Sequence, residues 1–324
     1  MPDILTLAAT NLLSPIILSF ILGLCAALAR SDLSVPEAAA KALSLYLLFA
    51  IGFKGGASVA SHGIDAKLVA SVGAGLVLSF GLPFIAFALL RLMTSLSRID
   101  AAAVAAHYGS ISIVTFVAAS SVLESRLIPA EGYMVAVAAA MEAPAILSAL
   151  WLVARGGAST REPGLWREIL LNGSIVLLIG AFAIGMITGE KGLADISSFI
   201  VSPFKGVLCL FLLDMGLVAG RGLREQRGGL GVGAILFAIL MPLIGSQAGL
   251  ALGLLVGLST GGVAMMMVLA ASASYIAVPA AMRVALPQAN PSIYLTLSLG
   301  VTFPFNLTLG IPIYIAIATA TAGA

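Results

Sequence analysis

His107-Tyr-Gly-Ser-Ile-Ser-Ile-Val-Thr115 interrupts a long apolar run with a helix-weakening glycine and several hydroxyl residues. A second stretch, Ser272-Ala-Ser-Tyr-Ile-Ala-Val-Pro279, interrupts another apolar run in the same way. Non-helical backbone at membrane depth is tolerated only where it is buried in protein or lines a cavity. The two interruptions therefore predict a polar site that is shared by two discontinuous membrane spans.

The composition surrounding these stretches is that of a membrane protein. Of the 324 residues, 60% are hydrophobic and only 9% are charged, whereas a soluble domain carries about 25% charged residues. A helix needs roughly 20 apolar residues to cross a bilayer core of about 30 Å, so the chain has room for about ten spans joined by short loops. We therefore expect an all-α integral membrane protein without a soluble domain.

Glycine, proline and charged residues divide the chain into ten apolar stretches, and the fourth and ninth of these contain the interruptions. The predicted transmembrane helices are Leu12–Ala29, Glu37–Phe53, Leu68–Met93, Ala101–Glu124, Glu131–Ala154, Glu168–Thr188, Ser198–Ala219, Gly231–Leu258, Gly262–Leu286 and Asn290–Ala318. The fourth and ninth helices are expected to be discontinuous.

Lysine and arginine are distributed unevenly between the two faces that ten spans create. One face receives Arg30, Lys41, Arg91, Arg98, Arg155, Arg161, Arg167, Arg221, Arg224, Arg227 and Arg283. The other face receives only Lys54, Lys67, Arg126, Lys191 and Lys205. Cytoplasmic loops carry the excess of positive residues. We therefore expect a multi-pass protein of the bacterial inner (plasma) membrane with both termini in the periplasm.

The two halves of the chain resemble each other. Tyr46-Leu-Leu-Phe-Ala-Ile-Gly-Phe-Lys-Gly-Gly56 matches Phe211-Leu-Leu-Asp-Met-Gly-Leu-Val-Ala-Gly220. Further matches follow in the same order: Pro83 with Pro242, Ser110 and Ser112 with Ser272 and Ser274, Tyr133 with Tyr294, and Pro144 with Pro304. Five spans per half place the second copy upside down in the membrane. A chance recurrence of small residues is the competing interpretation.

This repeat sets the expected domain organisation. We predict a first five-helix repeat over residues 1–157, a short cytoplasmic connection over 158–166, and a second, inverted repeat over 167–324.

The residues at the interruptions suit a small anion. A half-helix that begins at an interruption presents free backbone N–H groups and the positive end of its dipole. The candidate substrate residues are Gly109, Ser110, Ile111, Ser112, Thr115, Ser272, Ala273, Ser274 and Tyr275. The alternative is that these serines only bond back to helix carbonyls, but their paired positions favour a binding site.

Ionisable residues within spans require a reason, because they are costly to place in a bilayer. Glu142, just before Pro144 in the fifth span, is the main candidate for a cation ligand or proton carrier. A protonated structural carboxyl is the alternative. Hydroxyl, amide and carbonyl oxygens can complete a sodium site. The candidate metal ligands are Glu142, Ser272, Ser274, Thr302 and Asn306.

Two other ionisable residues have ordinary explanations beside functional ones. Asp214 lies about two turns from arginines at the end of its span, where a salt bridge or helix packing explains it as well as transport does. His107 adjoins the first interruption and could carry a proton, although a hydrogen-bonded core histidine is the commoner case.

No enzymatic motif accompanies these residues. The glycine-rich stretch Gly228-Gly-Leu-Gly-Val-Gly233 follows no strand and has no ribose-binding acid at the expected distance. Catalytic motifs of metalloproteases, hydrolases and P-loop enzymes are also missing from the sequence. We expect no catalytic residue, no cofactor and no nucleic-acid partner. In the eighth span, Gly245, Gly249, Gly253 and Gly257 form a stripe that predicts close helix packing.

Four stretches form a pattern over nearly the whole chain: Gly52-Phe-Lys-Gly-Gly56, Glu142-Ala-Pro144, Ala271-Ser-Ala-Ser274 and Ala285-Leu-Pro-Gln-Ala-Asn-Pro-Ser292, with Pro304 and Ile311-Pro312 beyond them. The pattern resembles the sodium-dependent bicarbonate transporter family known from cyanobacteria. The resemblance implies ten spans in two inverted repeats, a core and a gate domain that move as an elevator, and a homotrimer. It also implies a substrate site between the broken fourth and ninth spans.

The resemblance extends to individual site residues. It aligns Gly109, Ser110 and Ser112 with the fourth-span substrate motif of the family. Ser272 and Ser274 align with its ninth-span motif. Glu142 occupies a position that is acidic in the family.

The sequence departs from the family pattern at three places. The cyanobacterial members carry an aspartate after the serine-rich ninth-span stretch, where this chain has Tyr275 and thus lacks one plausible sodium ligand. The fourth-span motif is bulkier and is preceded by His107. The connection Arg155–Arg167 is shorter than the cytoplasmic linker of the family, which argues against a nitrogen-regulatory-like partner.

The expected function is secondary active uptake of a small inorganic anion, in the first place bicarbonate, with sodium as the coupling ion. A carrier that uses protons, or that moves another small solute such as a carboxylate, is the first alternative. A membrane sensor or assembly factor that kept the fold without transport is the second.

Overall fold

The computed structural model describes residues 13–63, 65–142, 144–154, 173–225, 230–275 and 277–323. Every regular element within these ranges is helical, and no strand occurs in them. In chain order the helices are α1 Pro15–Leu28, α2 Glu37–His62, α3 Ala66–Met93, α4 Arg98–Gly109, α5 Ile113–Ser125, α6 Met134–Ala140, α7 Pro144–Ala154, α8 Gly173–Ile200, α9 Phe204–Glu225, α10 Val232–Val256, α11 Thr260–Ala271, α12 Ala277–Ala285 and α13 Pro291–Ala322.

The helices confirm an all-α membrane protein. Eight segments of the described chain are long and apolar enough to cross a bilayer: Glu37–Ser61, Ala66–Met93, Arg98–Ser125, Met134–Val153, Val176–Ile200, Phe204–Arg224, Val232–Val256 and Pro291–Ala322. Two shorter apolar helices, Pro15–Leu28 and Thr260–Ala271, lie at the positions of the predicted first and ninth spans.

The predicted interruptions of the fourth and ninth spans are present. Three residues separate the end of α4 at Gly109 from the start of α5 at Ile113. The other interruption separates the end of α11 at Ala271 from the start of α12 at Ala277. Pro279 lies in the first turn of α12, where its missing N–H costs no helical hydrogen bond.

Two further irregularities were not predicted from the sequence. The fifth span is divided into α6 and α7, and Glu142 lies in the turn between them. The last helix, α13, contains π-helical turns at Thr296–Thr302 and Asn306–Gly310, on either side of Pro304. Single π-helical turns commonly occur at functional sites. The fifth and tenth spans are thus both irregular beside the prolines that the repeat pairs.

Several predicted span limits are wrong. α2 continues beyond Phe53 to His62, because its glycines pack against another helix and Lys54 forms an ion pair there with Glu124. α8 continues to Ile200 through a kink at Gly189, whose φ of 62° suits glycine. The following helix, α9, consequently begins later than expected. The predicted connection, which carries Arg155, Arg161 and Arg167, lies outside the described residues, as does Arg227.

Glycines allow two pairs of helices to pack at close range. A Cβ at Gly52 or Gly56 would collide with carbonyls of α8, so α2 approaches α8 only without side chains at these positions. A Cβ at Gly216 would collide with a carbonyl of α1, and one at Gly220 with Ala27. Matching glycines of the two sequence halves therefore serve the same purpose. α1, α2, α8 and α9 form one group of helices.

The remaining helices form a second group that contains the interruptions. α4 packs on α3 and α7, while α11 packs on α10 and α13. Gly245, Gly249 and Gly253 of α10 lie against the backbone of α11, as the glycine stripe predicted. Gly257 is not part of that stripe, because it ends α10 in the left-handed conformation at φ 74°. The most apolar window of Arg98–Ser125 is 100% buried, so the fourth span lies at the centre of this group.

Candidate functional site

The interruptions of the fourth and ninth spans cross and are hydrogen-bonded to each other. The backbone N–H of Ser112 donates to Oγ of Ser272 at 2.9 Å. The backbone N–H of Ser274 donates to the carbonyl of His107 at 2.7 Å. Because unpaired backbone groups are costly in a membrane interior, each interruption satisfies groups that the other leaves open. We refer to this place as the crossing.

The half-helices α5 and α12 both begin at the crossing, and serines cap them. Oγ of Ser112 accepts two hydrogen bonds from Thr115, one from the backbone N–H at 3.2 Å and one from the side-chain hydroxyl at 2.9 Å. Oγ of Ser274 accepts from the N–H of Val278 at 3.4 Å. Ser272 also donates to the carbonyl of Leu269 at 2.9 Å, as a serine bonding back to its helix does. Two positive helix ends thus meet at one place.

Apolar and small residues enclose the crossing. Ile111 and Ala273 are buried between the serines of their own interruptions. Gly109 lies so close to α3 that a Cβ there would collide with the ring of Pro83. The serines themselves are only 1–3% exposed, so this conformation is closed around the crossing.

Glu142 is joined to the fourth-span interruption. Oγ of Ser110 donates to Oε2 of Glu142 at 2.7 Å, and only 7% of Glu142 is exposed. Oγ of Ser79 donates to the carbonyl of Met141 at 2.6 Å and thereby fixes the turn that carries Glu142. Within the described ranges, no lysine or arginine forms an ion pair with this carboxyl. A carboxyl in such a place is either protonated or accompanied by a cation.

Thr302 connects the last helix to α4 and α10 through hydrogen bonds. The hydroxyl of Tyr108 donates to Oγ1 of Thr302 at 2.7 Å, and Thr302 donates onward to the carbonyl of Ala238 at 2.6 Å. Ala238 precedes Pro242 by one helical turn, and the proline has no N–H to offer that carbonyl. Thr302 therefore replaces a missing helical bond, a role that its sequence neighbourhood does not predict.

Asn306 links the last helix to the end of α11. Its Nδ2 donates to the carbonyl of Ala271 at 2.9 Å, and its Oδ1 accepts from the hydroxyl of Tyr314 at 2.9 Å. Among the described residues, no hydrogen bond joins Asn306 or Thr302 to Glu142. Ser272 directly follows Ala271, so the bond to the Ala271 carbonyl places Asn306 close to Ser272. Glu142 lies apart from both, beside the interruption of the fourth span.

A family comparison covers the whole of this arrangement. The profile of the Na+-dependent bicarbonate transporter superfamily matches residues 15–319, which include both interruptions, Glu142 and the last helix. The chain belongs to this superfamily. None of the individually curated proteins matches the chain. The membrane-spanning helices and the membership together identify a membrane transporter of the bicarbonate superfamily.

Tyr275 stands where the resemblance to the cyanobacterial family places an aspartate. Its ring packs edge-to-face on Phe303 at 5.1 Å between centroids, and Phe303 packs in turn on Phe20 of α1 at 5.3 Å. The Tyr275 hydroxyl is buried and makes no hydrogen bond of regular geometry in the described part of the chain, with Ser112 as its polar neighbour. Nor do the described residues contain a cluster of three or more His, Cys, Asp or Glu. A sodium site in this superfamily member would therefore consist mainly of neutral oxygens.

His107 contributes its backbone to the crossing, while its side chain is held elsewhere. Nδ1 lies 2.6 Å from the carbonyl of Ala103, and because a carbonyl only accepts, Nδ1 carries the hydrogen. The ring stacks on Tyr294 at 4.4 Å between centroids. Nε2 is buried without a partner among the described residues. The sequence drew attention to the imidazole, but the carbonyl of His107 is the group that binds Ser274.

Asp214 does not form the salt bridge that was considered for it. In the described ranges it has no ion pair within 4.0 Å, the distance at which Lys54 and Glu124 do pair. The arginines at the end of α9 bind carbonyls near the end of α1 instead: Arg221 donates to Leu33 at 3.3 Å, and Arg224 donates to Ala27 at 2.9 Å. Ala27 lies in the last turn of α1, where carbonyls are natural partners for a cation.

Proposed function

We propose that this protein is a secondary active transporter, not an enzyme, which imports bicarbonate together with sodium. The observation that carries the proposal is the crossing, where the half-helices α5 and α12 both begin beside Ser112 and Ser274. Two helix N-termini offer backbone N–H donors and favourable dipoles to an anion without a buried arginine. Membership of the bicarbonate transporter superfamily supports the choice of substrate.

The serine caps suggest how a small anion would bind. Ser112 and Ser274 now accept the N–H groups of Thr115 and Val278. An incoming anion can accept those N–H bonds in their place, and each released hydroxyl can then donate to the anion. Gly109, Ile111 and Ala273 leave little room around these groups, which favours a substrate of few atoms. Ser110, Ser272 and Tyr275 complete the proposed substrate site.

Sodium is the proposed coupling ion because a cation would compensate the negative charges of the bound anion and of Glu142. Glu142 brings one carboxyl to the fourth-span side of the site, bonded only to Ser110 in the described chain. Carboxylate, hydroxyl and carbonyl oxygens are the ligands that a hard cation prefers. Ser272, Ser274, Thr302 and Asn306 stay proposed ligands, and the last two would exchange present bonds for the ion.

The proposed architecture has ten transmembrane helices in two inverted five-helix repeats. The matched glycine contacts of α2 on α8 and of α9 on α1 support it, as do the paired interruptions. The group of α1, α2, α8 and α9 would be the gate domain, and the other helices the core that carries substrate like an elevator. We further propose a homotrimer in a bacterial inner membrane with periplasmic termini, without a nitrogen-regulatory-like partner.

Uptake by the purified protein in liposomes tests this proposal. We expect labelled bicarbonate to accumulate when a sodium gradient points inward, and not when potassium replaces sodium. Ser272→Ala should reduce uptake strongly, because it removes the acceptor of the Ser112 N–H. Ser125→Ala, which changes an exposed serine, is the matched control. Absence of uptake under every gradient and with other small anions, from folded protein, would favour the non-transporting sensor.

Proton coupling is the second candidate, and one observation favours it. Glu142 is buried with a hydroxyl donor and without a basic partner among the described residues, as suits a carboxyl that carries a proton. In that case an inward proton gradient should drive uptake in the absence of sodium. Uptake that follows the sodium gradient at constant pH on both sides would exclude this candidate.

A further inference from the structure

A cavity of about 550 Å³ lies between the two groups of helices. It follows one face of α2 from Ile51 to Ser58 and one face of α5 from Phe116 to Glu124. Met265 of α11 contributes to its wall. Phe116 and Glu124 are eight positions apart, which corresponds to a length of about 12 Å along α5. The cavity therefore extends well into the membrane-spanning part of the protein.

The inner end of the cavity lies next to the crossing. Phe116 is 3% exposed, and its N–H donates to the carbonyl of Ser112 at 3.0 Å. Only one turn of α5 thus separates the cavity from the serine that caps this half-helix. Ile51 and Met265, which line the same cavity, are buried and apolar. The barrier between cavity and crossing is therefore thin and hydrophobic.

The outer end of the cavity is polar. Lys54 and Glu124 form an ion pair at 3.2 Å there, and their side chains are 32% and 53% exposed. Charged groups keep this end in contact with water, because their burial is costly. Glu131 accepts hydrogen bonds from the N–H and hydroxyl of Ser259 at 2.7 and 2.9 Å, which fixes the outer loop on α11. The outer end of the cavity is thus hydrated, and its inner end is apolar.

We propose that this cavity is an access path for small hydrated ions and that Phe116 is the gate residue at its inner end. The path would lead from the membrane face of the loop 127–132 to the crossing. A volume of about 550 Å³ exceeds the roughly 30 Å³ share of a water molecule many times, so a hydrated ion fits. The inference rests on the proposed function for the identity of the ion that passes. The existence of the path and of the gate can be tested without measuring transport.

Thiol labelling tests the path first. In a background with Cys25→Ser and Cys209→Ser, we introduce Ser120→Cys on the cavity wall and measure its reaction with a small hydrophilic thiol reagent. We expect ready labelling. The matched control is Ala119→Cys at the neighbouring position, which is 0% exposed and should be inert. Inertness of Ser120→Cys in both detergent and membranes would overturn the access path.

Labelling below the gate tests Phe116. Thr115 lies beside Ser112 and is only 1% exposed, so the cysteine introduced by Thr115→Cys should react slowly. Adding Phe116→Ala should accelerate that reaction by about tenfold, which corresponds to about 1.4 kcal/mol in gate opening. Phe116→Leu keeps an apolar side chain and should change the rate little. The labelling rate of Ser120→Cys should be the same with either Phe116 variant.

The outcomes separate the gate from the proposed function. An unchanged rate of Thr115→Cys in folded Phe116→Ala protein, judged by its thermal unfolding, would overturn the gate assignment. If labelling behaves as expected but no anion is taken up by liposomes, the proposed function fails while the path and the gate stand.

Discussion

Oγ of Ser110 lies 2.7 Å from Oε2 of Glu142, so a side-chain hydrogen bond joins the interruption of the fourth span to the turn that divides the fifth span. Both residues are buried. Any change in the charge of Glu142 is therefore felt directly at the interruption. Among the acidic residues of the described chain, Glu142 is the one that a hydrogen bond connects to an interruption.

Glu142→Gln should preserve the fold and abolish or strongly weaken ion-coupled uptake. The amide can still accept the Ser110 hydrogen bond but cannot carry a charge or a proton, so stability should fall by at most about 1–2 kcal/mol. Uptake and thermal unfolding in the same preparation check this. Glu190→Gln, which changes an exposed carboxyl away from the crossing and the cavity, serves as the control. Wild-type uptake with unchanged ion dependence would assign Glu142 to structure alone.

Cysteines at the crossing should report when it opens. Ser110, Ser112, Ser272 and Ser274 are 1–3% exposed here, so each single cysteine substitution should label slowly in the resting protein. Labelling by small hydrophilic reagents should accelerate when an ion gradient drives transport, and bound substrate should protect. Uniform inertness under all these conditions would show that the serines are merely packed.

Tyr275→Asp should steepen the dependence of uptake on sodium. A phenol is uncharged at neutral pH, so a sodium ion near Tyr275 depends on neutral oxygens and Glu142. Tyr275→Phe removes a buried hydroxyl that makes no regular hydrogen bond among the described residues and should leave stability unchanged or raise it, by up to about 1–3 kcal/mol. Uptake is measured against sodium at fixed pH and potential. Steep, saturable dependence in both wild type and Tyr275→Phe would mean that the cation binds elsewhere.

The sequence predicts the interruptions of the two spans, but not the hydrogen bonds around them. Hydroxyl residues at matched positions in two apolar runs are enough to predict the interruptions, because polar stretches with a glycine in one run and a proline in the other stand out in a hydrophobic chain. The partners of Thr302 and Asn306 could not be predicted in this way. Tyr108 is 194 residues from Thr302, and no local pattern specifies such a contact.

Topology follows from the uneven distribution of lysine and arginine. A reporter fused after Ala324 should be periplasmic, and one inserted at Gly157 should be cytoplasmic, because loops rich in positive residues stay inside. Alkaline phosphatase and green fluorescent protein fusions give complementary readouts. The reverse pattern would overturn the orientation and place the loop 127–132 on the cytoplasmic side.

Close helix packing should make two glycines intolerant of a methyl group. Gly56→Ala and Gly216→Ala should each lower the free energy of unfolding by about 1–3 kcal/mol, because the added Cβ meets a carbonyl of the neighbouring helix. Gly73→Ala is the control, since a Cβ there meets open space and alanine favours a helix. Thermal unfolding in detergent compares the three. Equal stability of all variants would contradict the packing of α2 on α8 and of α1 on α9.

Span limits illustrate what hydropathy cannot supply. The second span was predicted to end at Phe53, because Lys54, Gly55 and Gly56 follow as a charged and flexible group. In the structure the helix continues, since Lys54 finds Glu124 on another span and the glycines are contact points. The sequence alone does not distinguish a glycine that permits close packing from one that ends a helix, such as Gly257. Only the neighbouring helix distinguishes them.

The burial of the fourth span has a consequence for how the protein is made. The most apolar window of Arg98–Ser125 is 100% buried, against 17% for that of Val176–Ile200, so the mature fourth span is shielded from lipid. Ser272 is synthesised 160 residues after Ser112, which takes roughly 10–30 s at about 5–20 residues per second. During that interval the ribosome has released a polar, interrupted span whose partner does not yet exist. The insertion machinery must shelter it until the ninth span is made, because open backbone groups are costly in a bilayer.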